Sequence, residues 1–162
     1  MTDATSHAQF MRQAIELAYQ GMAGKHGGPF GAVIVRDGKV IGAGHNRVLS
    51  ATDPTAHAEV TAISDASAKE KNFDLSGSTI YVNGMPCPMC MSAIFWARID
   101  KVFYGCSPAD AEEIGFDDQE FYRQLAKPPA ERDVPAVQLA ECYPEAKACY
   151  QAGIDNDARM PY

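Results

Sequence analysis

Residues 30–46 read FGAVIVRDGKVIGAGHN. Two strand-like runs, Phe30–Arg36 and Lys39–Asn46, flank Asp37-Gly38, a pair suited to the left-handed backbone of a two-residue hairpin turn. Upstream, Ser6–Met22 sets Phe10, Ala14, Leu17, Ala18, Gly21 and Met22 at helical spacing. The glycine- and proline-rich GKHGGPFG (24–31) then stops that helix. Downstream, Thr55 is the expected cap of a helix over Ala56–Lys71 that carries Val60, Ile63 and Ser67 on one side. Strands are expected at Ser78–Asn83, Lys101–Gly105 and Pro135–Ala140. Helices are expected after Cys87, with Pro88 in the first turn, over Asp110–Ala126 with a break at Gly115, and over Glu141–Gln151. This order counts five strands in a mixed sheet with helices on both faces, its strand–helix–strand crossovers making part of it parallel.

The chain has 162 residues, a length that fits one compact domain with a core of its own. Acids outnumber bases 21 to 14, for a formal charge of −7. Residues 110–133 alone carry eight acids against three bases. Such a surface argues against a phosphate-backbone binder. No apolar run is long enough for a membrane span, and MTDATSHAQFMRQ lacks the basic-then-apolar pattern of an export signal. Five cysteines, two of them in a CxxC, then suggest a reducing cytoplasm and a metal or redox site rather than a disulfide framework.

The chemistry concentrates in His57-Ala58-Glu59 and Pro86-Cys87-Pro88-Met89-Cys90. Two thiolates three residues apart in a helix's first turn share a face and can grip one ion. His57 would be a third ligand, leaving one tetrahedral position open, as in catalytic zinc. Glu59 lies about 200° around a helix from His57. Both reach one ion only if that helix meets it end-on, and Glu59 could then move protons between water and a leaving group. A structural zinc closed by Cys106 and a redox dithiol are the competing readings of the CxxC. A redox pair usually follows an early strand, whereas this one lies past mid-chain. The joint pattern H-x-E…P-C-x-x-C is far more specific, being the signature of zinc nucleobase deaminases.

The sequence resembles the cytidine-deaminase superfamily and, within it, the bacterial guanine deaminases. The resemblance rests on GGPFGAVIV (27–35), DPTAHAEVTAI (53–63), PCPMC with AIFWAR (86–98), VFYG (102–105), IGFDD (114–118) and KPPAER (127–132). It implies a three-layer α/β/α sandwich around a mixed five-stranded sheet, with residues 1–162 forming a single zinc-dependent deaminase domain. It also implies Zn2+ on His57, Cys87 and Cys90, Glu59 as the proton shuttle, and hydrolysis of guanine to xanthine and ammonia. Asn46, Phe30, Trp96, Asp118 and Tyr162 are the implied substrate contacts. The expected partners are a small purine, water and a second copy of the chain in a homodimer, with the tail (about 153–162) exchanged between subunits. Nucleic acid and membrane are not expected.

One segment departs from that pattern: Gly84 and Met85 stand where a cysteine and a glutamate are usual. Guanosine, cytosine or a triazine therefore remain alternative substrates. A tRNA adenosine deaminase and a non-catalytic zinc-stabilised binding protein are the more distant readings. A purely structural zinc would have no use for Glu59. Cys106, Cys142 and Cys149 are expected to be buried packing residues.

Overall fold

The computed structural model describes residues 4–160. The chain divides into two compact units, Met1–Gln119 and Glu120–Tyr162. The first opens with helix α1 (Ala4–Ala23), which buries Phe10, Ala14 and Ala18 at four-residue spacing. Strands β1 (Gly31–Arg36) and β2 (Lys39–His45) follow as an antiparallel hairpin. Asp37 and Gly38 have φ of 51° and 73°, the left-handed pair a tight hairpin requires. A register shift between Ile34 and Val35 marks a bulge.

A single turn, α2 (Val48–Ala51), leads through a loop to α3 (Ala58–Glu70). Then come β3 (Ser78–Gly84), α4 (Pro88–Trp96) and β4 (Lys101–Cys106). The sheet order is β2-β1-β3-β4. β1 is antiparallel to both neighbours, while β3 and β4 are parallel and joined by α4, as a parallel crossover demands. Alternation along the strands sends side chains to opposite faces. Val33, Val35 and Tyr81 pack with Phe10 and Ala14 of α1. Ala32, Ile34, Ile80 and Val82 pack on the other face with Ala58, Ala62 and Ala66 of α3 and Ile94 of α4.

The sandwich has four strands among the described residues, not five. The expected strand over Pro135–Ala140 is irregular and exposed; Val137 is 76% accessible. Its alternating apolar residues suit a strand, but Pro135 has no amide to give and the Ala136 N–H goes to the Pro129 carbonyl (3.0 Å). No sheet partner takes the segment up among the described residues.

Thr55 is not a helix cap either. Asp53 Oδ1 accepts from the Thr55 N–H (2.8 Å) and hydroxyl (2.7 Å), closing a turn, and His57 becomes the N-cap of α3. The face of α3 that buries most deeply is Ala58–Ala62–Ala66, while Val60, Ile63 and Ser67 are half-buried. The cause lies in β2. A Cβ at Gly42 would sit 2.6 Å from the Ala62 carbonyl oxygen, and one at Gly44 2.6 Å from the Ala62 amide nitrogen. Helix and strand approach so closely that only alanine faces glycine.

The remaining helices are α5 (Pro108–Glu113), α6 (Gln119–Ala126) and α7 (Tyr143–Ile154). α5 starts in a capping box between Ser107 and Asp110, and Gly115 (φ 88°) breaks the helical run that follows it. In the second unit, the Arg132 guanidinium donates to the carbonyls of Leu125 and Lys127, tying the chain to the end of α6. Two 3₁₀ turns, Pro129–Glu131 and Ala140–Cys142, precede α7.

Because the Gly44 contacts are backbone atoms of α3, a side chain there has to displace the helix that presents His57. Gly44→Ala is expected to lower stability by about 1–3 kcal/mol, read as a fall in Tm of several degrees by calorimetry.

Candidate active site

Two helices aim their N-termini at one point. His57 (φ −68°, ψ 160°) is the N-cap of α3, and Cys87 (φ −68°, ψ 170°) is the N-cap of α4. Pro88 opens α4, where no amide hydrogen is needed, and Cys90 completes its first turn. The unpaired amides at both helix ends favour negative charge where the sulfurs sit. Local bonds hold the approach to each helix. The His57 N–H donates to the Thr55 carbonyl (2.7 Å) and the Arg47 N–H to that of Ala56 (2.8 Å). The Met85 N–H donates to the Cys106 carbonyl (2.9 Å), fixing the entry to α4 from the end of the sheet.

His57 Nδ1 lies 3.7 Å from Cys87 Sγ and 3.5 Å from Cys90 Sγ. A tetrahedral zinc with ordinary Zn–N and Zn–S bonds has N···S edges of about 3.6 Å. The donor atoms of these three residues all lie within 4.8 Å of one another, and no fourth histidine, cysteine or carboxylate joins them among the described residues. Two thiolates and an imidazole suit zinc rather than a hard cation. Cys106 is exposed and outside the group, so it does not close the site. Cys142 and Cys149 are also exposed, not packed as expected.

The charges around this group are strongly coupled. The Cys90 thiol donates to Cys87 and, despite burial, holds the Cys87 thiol down at about 4. The same bond, with burial, pushes Cys90 far up. The hydrogen bond to Cys87 raises His57 against the opposing effect of burial. Glu59, one residue inside α3 from its first position, is 5% exposed. Burial, assisted by the negative Cys87, raises its carboxyl above the usual range. Burial, again with the Cys87 charge, raises Asp118 as well.

These groups face a cavity of about 290 Å³ lined by His57, Glu59, Cys87, Asn46 and Asp118, with Phe30, Phe116, Val48, Leu49, Pro54 and Met85 as its apolar walls and Gly27 and Gly28 along one side. Phe30 and Phe116 meet edge to face, their centroids 5.0 Å apart at 90°. Asn46 is 4% exposed. Its N–H donates to the Phe30 carbonyl (2.9 Å), and its Oδ1 accepts from the Val48 N–H (3.1 Å).

The structure thus brings His57, Cys87, Cys90, Glu59, Asn46, Phe30 and Asp118 together. Trp96 stands apart at the last position of α4, 63% exposed and outside the cavity lining. Tyr162 lies outside the described residues. Phe116, Val48 and Leu49 were not anticipated as walls. Phe116 could have been, since it stands two residues before Asp118 in GFDD; NRVLS carries no periodic signal at all.

Residues 4–106 match the cytidine and deoxycytidylate deaminase zinc-binding region, and the chain belongs to that family. It is 46% identical over 134 residues to the guanine deaminase of Bacillus subtilis, covering 83% of this chain and 86% of the relative. The crystal structure of guanine deaminase from Bacillus subtilis superposes with a TM-score of 0.92 at 42% identity, covering 96% of this chain and 98% of that one. The tRNA-specific adenosine deaminase of Buchnera aphidicola is 40% identical over 108 residues, covering 66% of this chain and 70% of the relative.

The purified chain is expected to carry about one zinc ion, the complement of one three-donor site with an open position. Elemental analysis should find it lost in Cys90→Ala and retained in Cys106→Ala; retention in both would place the metal elsewhere.

Proposed function

We infer that the chain is a zinc-dependent aminohydrolase that converts guanine, or a closely related purine, and water into xanthine and ammonia. The observation that carries this reading is a buried carboxyl, Glu59, beside a three-donor zinc site that opens into a base-sized cavity. Likeness to guanine deaminase extends over 83% of the chain, well past the zinc-binding region, and supports the purine.

His57, Cys87 and Cys90 would hold the metal. When bound, zinc supplies a Lewis acid that lets water lose a proton near neutral pH. The chain's own residues do the rest. Phe30 and Phe116, packed edge to face, offer the two-ring base one apolar wall and exclude bulk water there. Asn46 Nδ2 donates to a carbonyl on the base, and Asp118 accepts from its N–H groups. Glu59, as the carboxylate, accepts the proton of the attacking water and passes it to the ring nitrogen beside C2. A second transfer delivers a proton to the exocyclic amine, and the C–N bond breaks to release ammonia.

The cavity lining contains no lysine or arginine for a phosphate, which favours a free base over a nucleotide. The charge of −7 speaks against an RNA stem-loop. No helix among the described residues is long and apolar enough to cross a membrane. The homodimer is supported by Phe95 (70% exposed) and Trp96 at the end of α4 and by Tyr104 on the edge strand β4, large apolar side chains that a second copy would cover.

Ammonia release from guanine, guanosine, adenine, cytosine and cytidine on the zinc-loaded protein tests the reading, with guanine expected to dominate. Glu59→Gln should keep its zinc and lose about 10²–10⁴-fold in kcat; full activity in that variant would remove Glu59 from the proton path. Light scattering after gel filtration should give twice the chain mass, and a single-chain mass would reject the dimer.

A further inference from the structure

Behind the cavity wall lies a second pair of titratable groups that the reaction does not use. His26 Nδ1 and His45 Nε2 meet at 2.8 Å, with their rings 4.9 Å apart and inclined by 18°. His26 belongs to the loop after α1, and His45 ends β2, so this bond joins two separate elements. Each histidine stands one residue from the cavity: Gly27 follows His26 and Asn46 follows His45. The two neighbours touch, for a Cβ on Gly27 would fall 2.0 Å from Asn46 Oδ1. The His26 carbonyl also accepts the N–H groups of Leu49 and Ser50 (3.0 Å each), which holds α2 and its wall residue Leu49. At the other end, the His26 N–H donates to the Gly21 carbonyl (2.9 Å), and His45 packs against Gly21, where a Cβ would come within 2.8 Å of the ring.

We propose that the His26–His45 pair is a positioning device that holds Asn46 and the Gly27–Leu49 wall in binding geometry and releases them when both imidazoles are protonated. It rests on the proposed deaminase function of the adjoining site. The proton count gives the sign. In the neutral pair, one of the two facing nitrogens carries a hydrogen and the other accepts it. A first proton can enter on an outward nitrogen and leave the bond intact. A second puts hydrogens on both facing atoms, and two cations then oppose each other at hydrogen-bond distance.

The surroundings set the range in which this happens. Arg47 follows the pair on β2's exit, and Asp65 faces the same recess from α3, its Oδ2 already engaged by the Ala43 N–H (2.9 Å) and Lys69 Nζ (2.6 Å). α1 contributes Leu17 and Gly21 around the pair, neither of them titratable. Burial, then His26, then Arg47 lower the pKa of His45. A histidine lowered on folding favours the neutral form, so its contribution is complete above the ordinary value of about 6.5 and is lost as the pH falls below it.

The experiment compares wild type, His45→Gln and His45→Ala between pH 5 and 8, measuring KM and kcat for guanine separately. Glutamine can still hydrogen-bond His26 but cannot take a second charge. The wild-type KM is expected to rise about tenfold in acid relative to His45→Gln, one hydrogen bond's worth of binding, while the two kcat profiles run parallel. His45→Ala should show the raised KM at every pH. Superimposable KM profiles for wild type and His45→Gln, or a wild-type KM in His45→Ala, would overturn the proposal. NMR titration of the zinc-loaded protein gives a readout independent of turnover. The side-chain amide of Asn46 and the amide of Leu49 should shift with the imidazole midpoints in wild type and not in His45→Gln. Absence of that coupling rejects the device even in an active enzyme. Its presence in a protein inert towards guanine would retain the device and reject the substrate.

Discussion

Everything that gives this chain its chemistry depends on two helix N-termini converging on one cation. Three donors from two helices are brought within bonding range of a single point, and the thiolates' charge is met by the unpaired amides of the first turns. The hydrogen bond between the two sulfurs lowers the Cys87 thiol and raises that of Cys90. With a dication bound, two thiolates and a neutral imidazole bring it to zero net charge. Such a centre is a modest acid, which is why a buried carboxyl at the second position of α3 belongs to the same design. Glu59 is not needed to hold the metal, and its burial would cost stability in a purely structural site.

The sheet sets where those helix ends lie. α3 rides on β2 with alanines against glycines, so its axis is fixed by backbone contact rather than by interlocking side chains. α4 starts where β3 ends, and the Cys106 carbonyl at the end of β4 takes the amide of Met85 just before it. Asn46 and the hairpin's outgoing strand enter the cavity from the opposite end of the sheet order. His57, on the helix packed against β2, and Cys87 and Cys90, on the helix that follows β3, are therefore carried by different strands of one sheet, which suits a site that needs near-contact geometry.

Much of this was legible in the sequence. Asp37-Gly38 between alternating runs marks the hairpin because the turn needs left-handed residues, and H-x-E with P-C-x-x-C marks the metal because few residue types bind zinc. By the helical angle alone, His57 and Glu59 can share a site only on an end-on helix, and the two residues do occupy the N-cap and second position of α3. The failures share a cause. Alternation in Pro135–Ala140 says that a segment could be a strand, not that a partner takes its amides. Val60, Ile63 and Ser67 do share one side of α3, but the close approach to Gly42 and Gly44 makes the alanine side the one buried most deeply. Thr55 has the chemistry of a cap, but Asp53, two residues earlier, captures its amide and hydroxyl first. The cavity walls Val48 and Leu49 are set by the Asn46 side chain and the His26 carbonyl, contacts no local pattern encodes.

Met85 lines the cavity beside Cys87, an uncharged side chain among the acids of the site. Glu59 and Asp118 already share this small space, and the charge on Cys87 raises both of them further. A third carboxylate at position 85 would push both in the same direction. A thioether adds no charge and no unsatisfied hydrogen-bonding group, and its polarizable sulfur packs well near aromatic rings such as those of Phe30 and Phe116. Met85 therefore keeps the cavity electrostatically simpler than an acid at that position would.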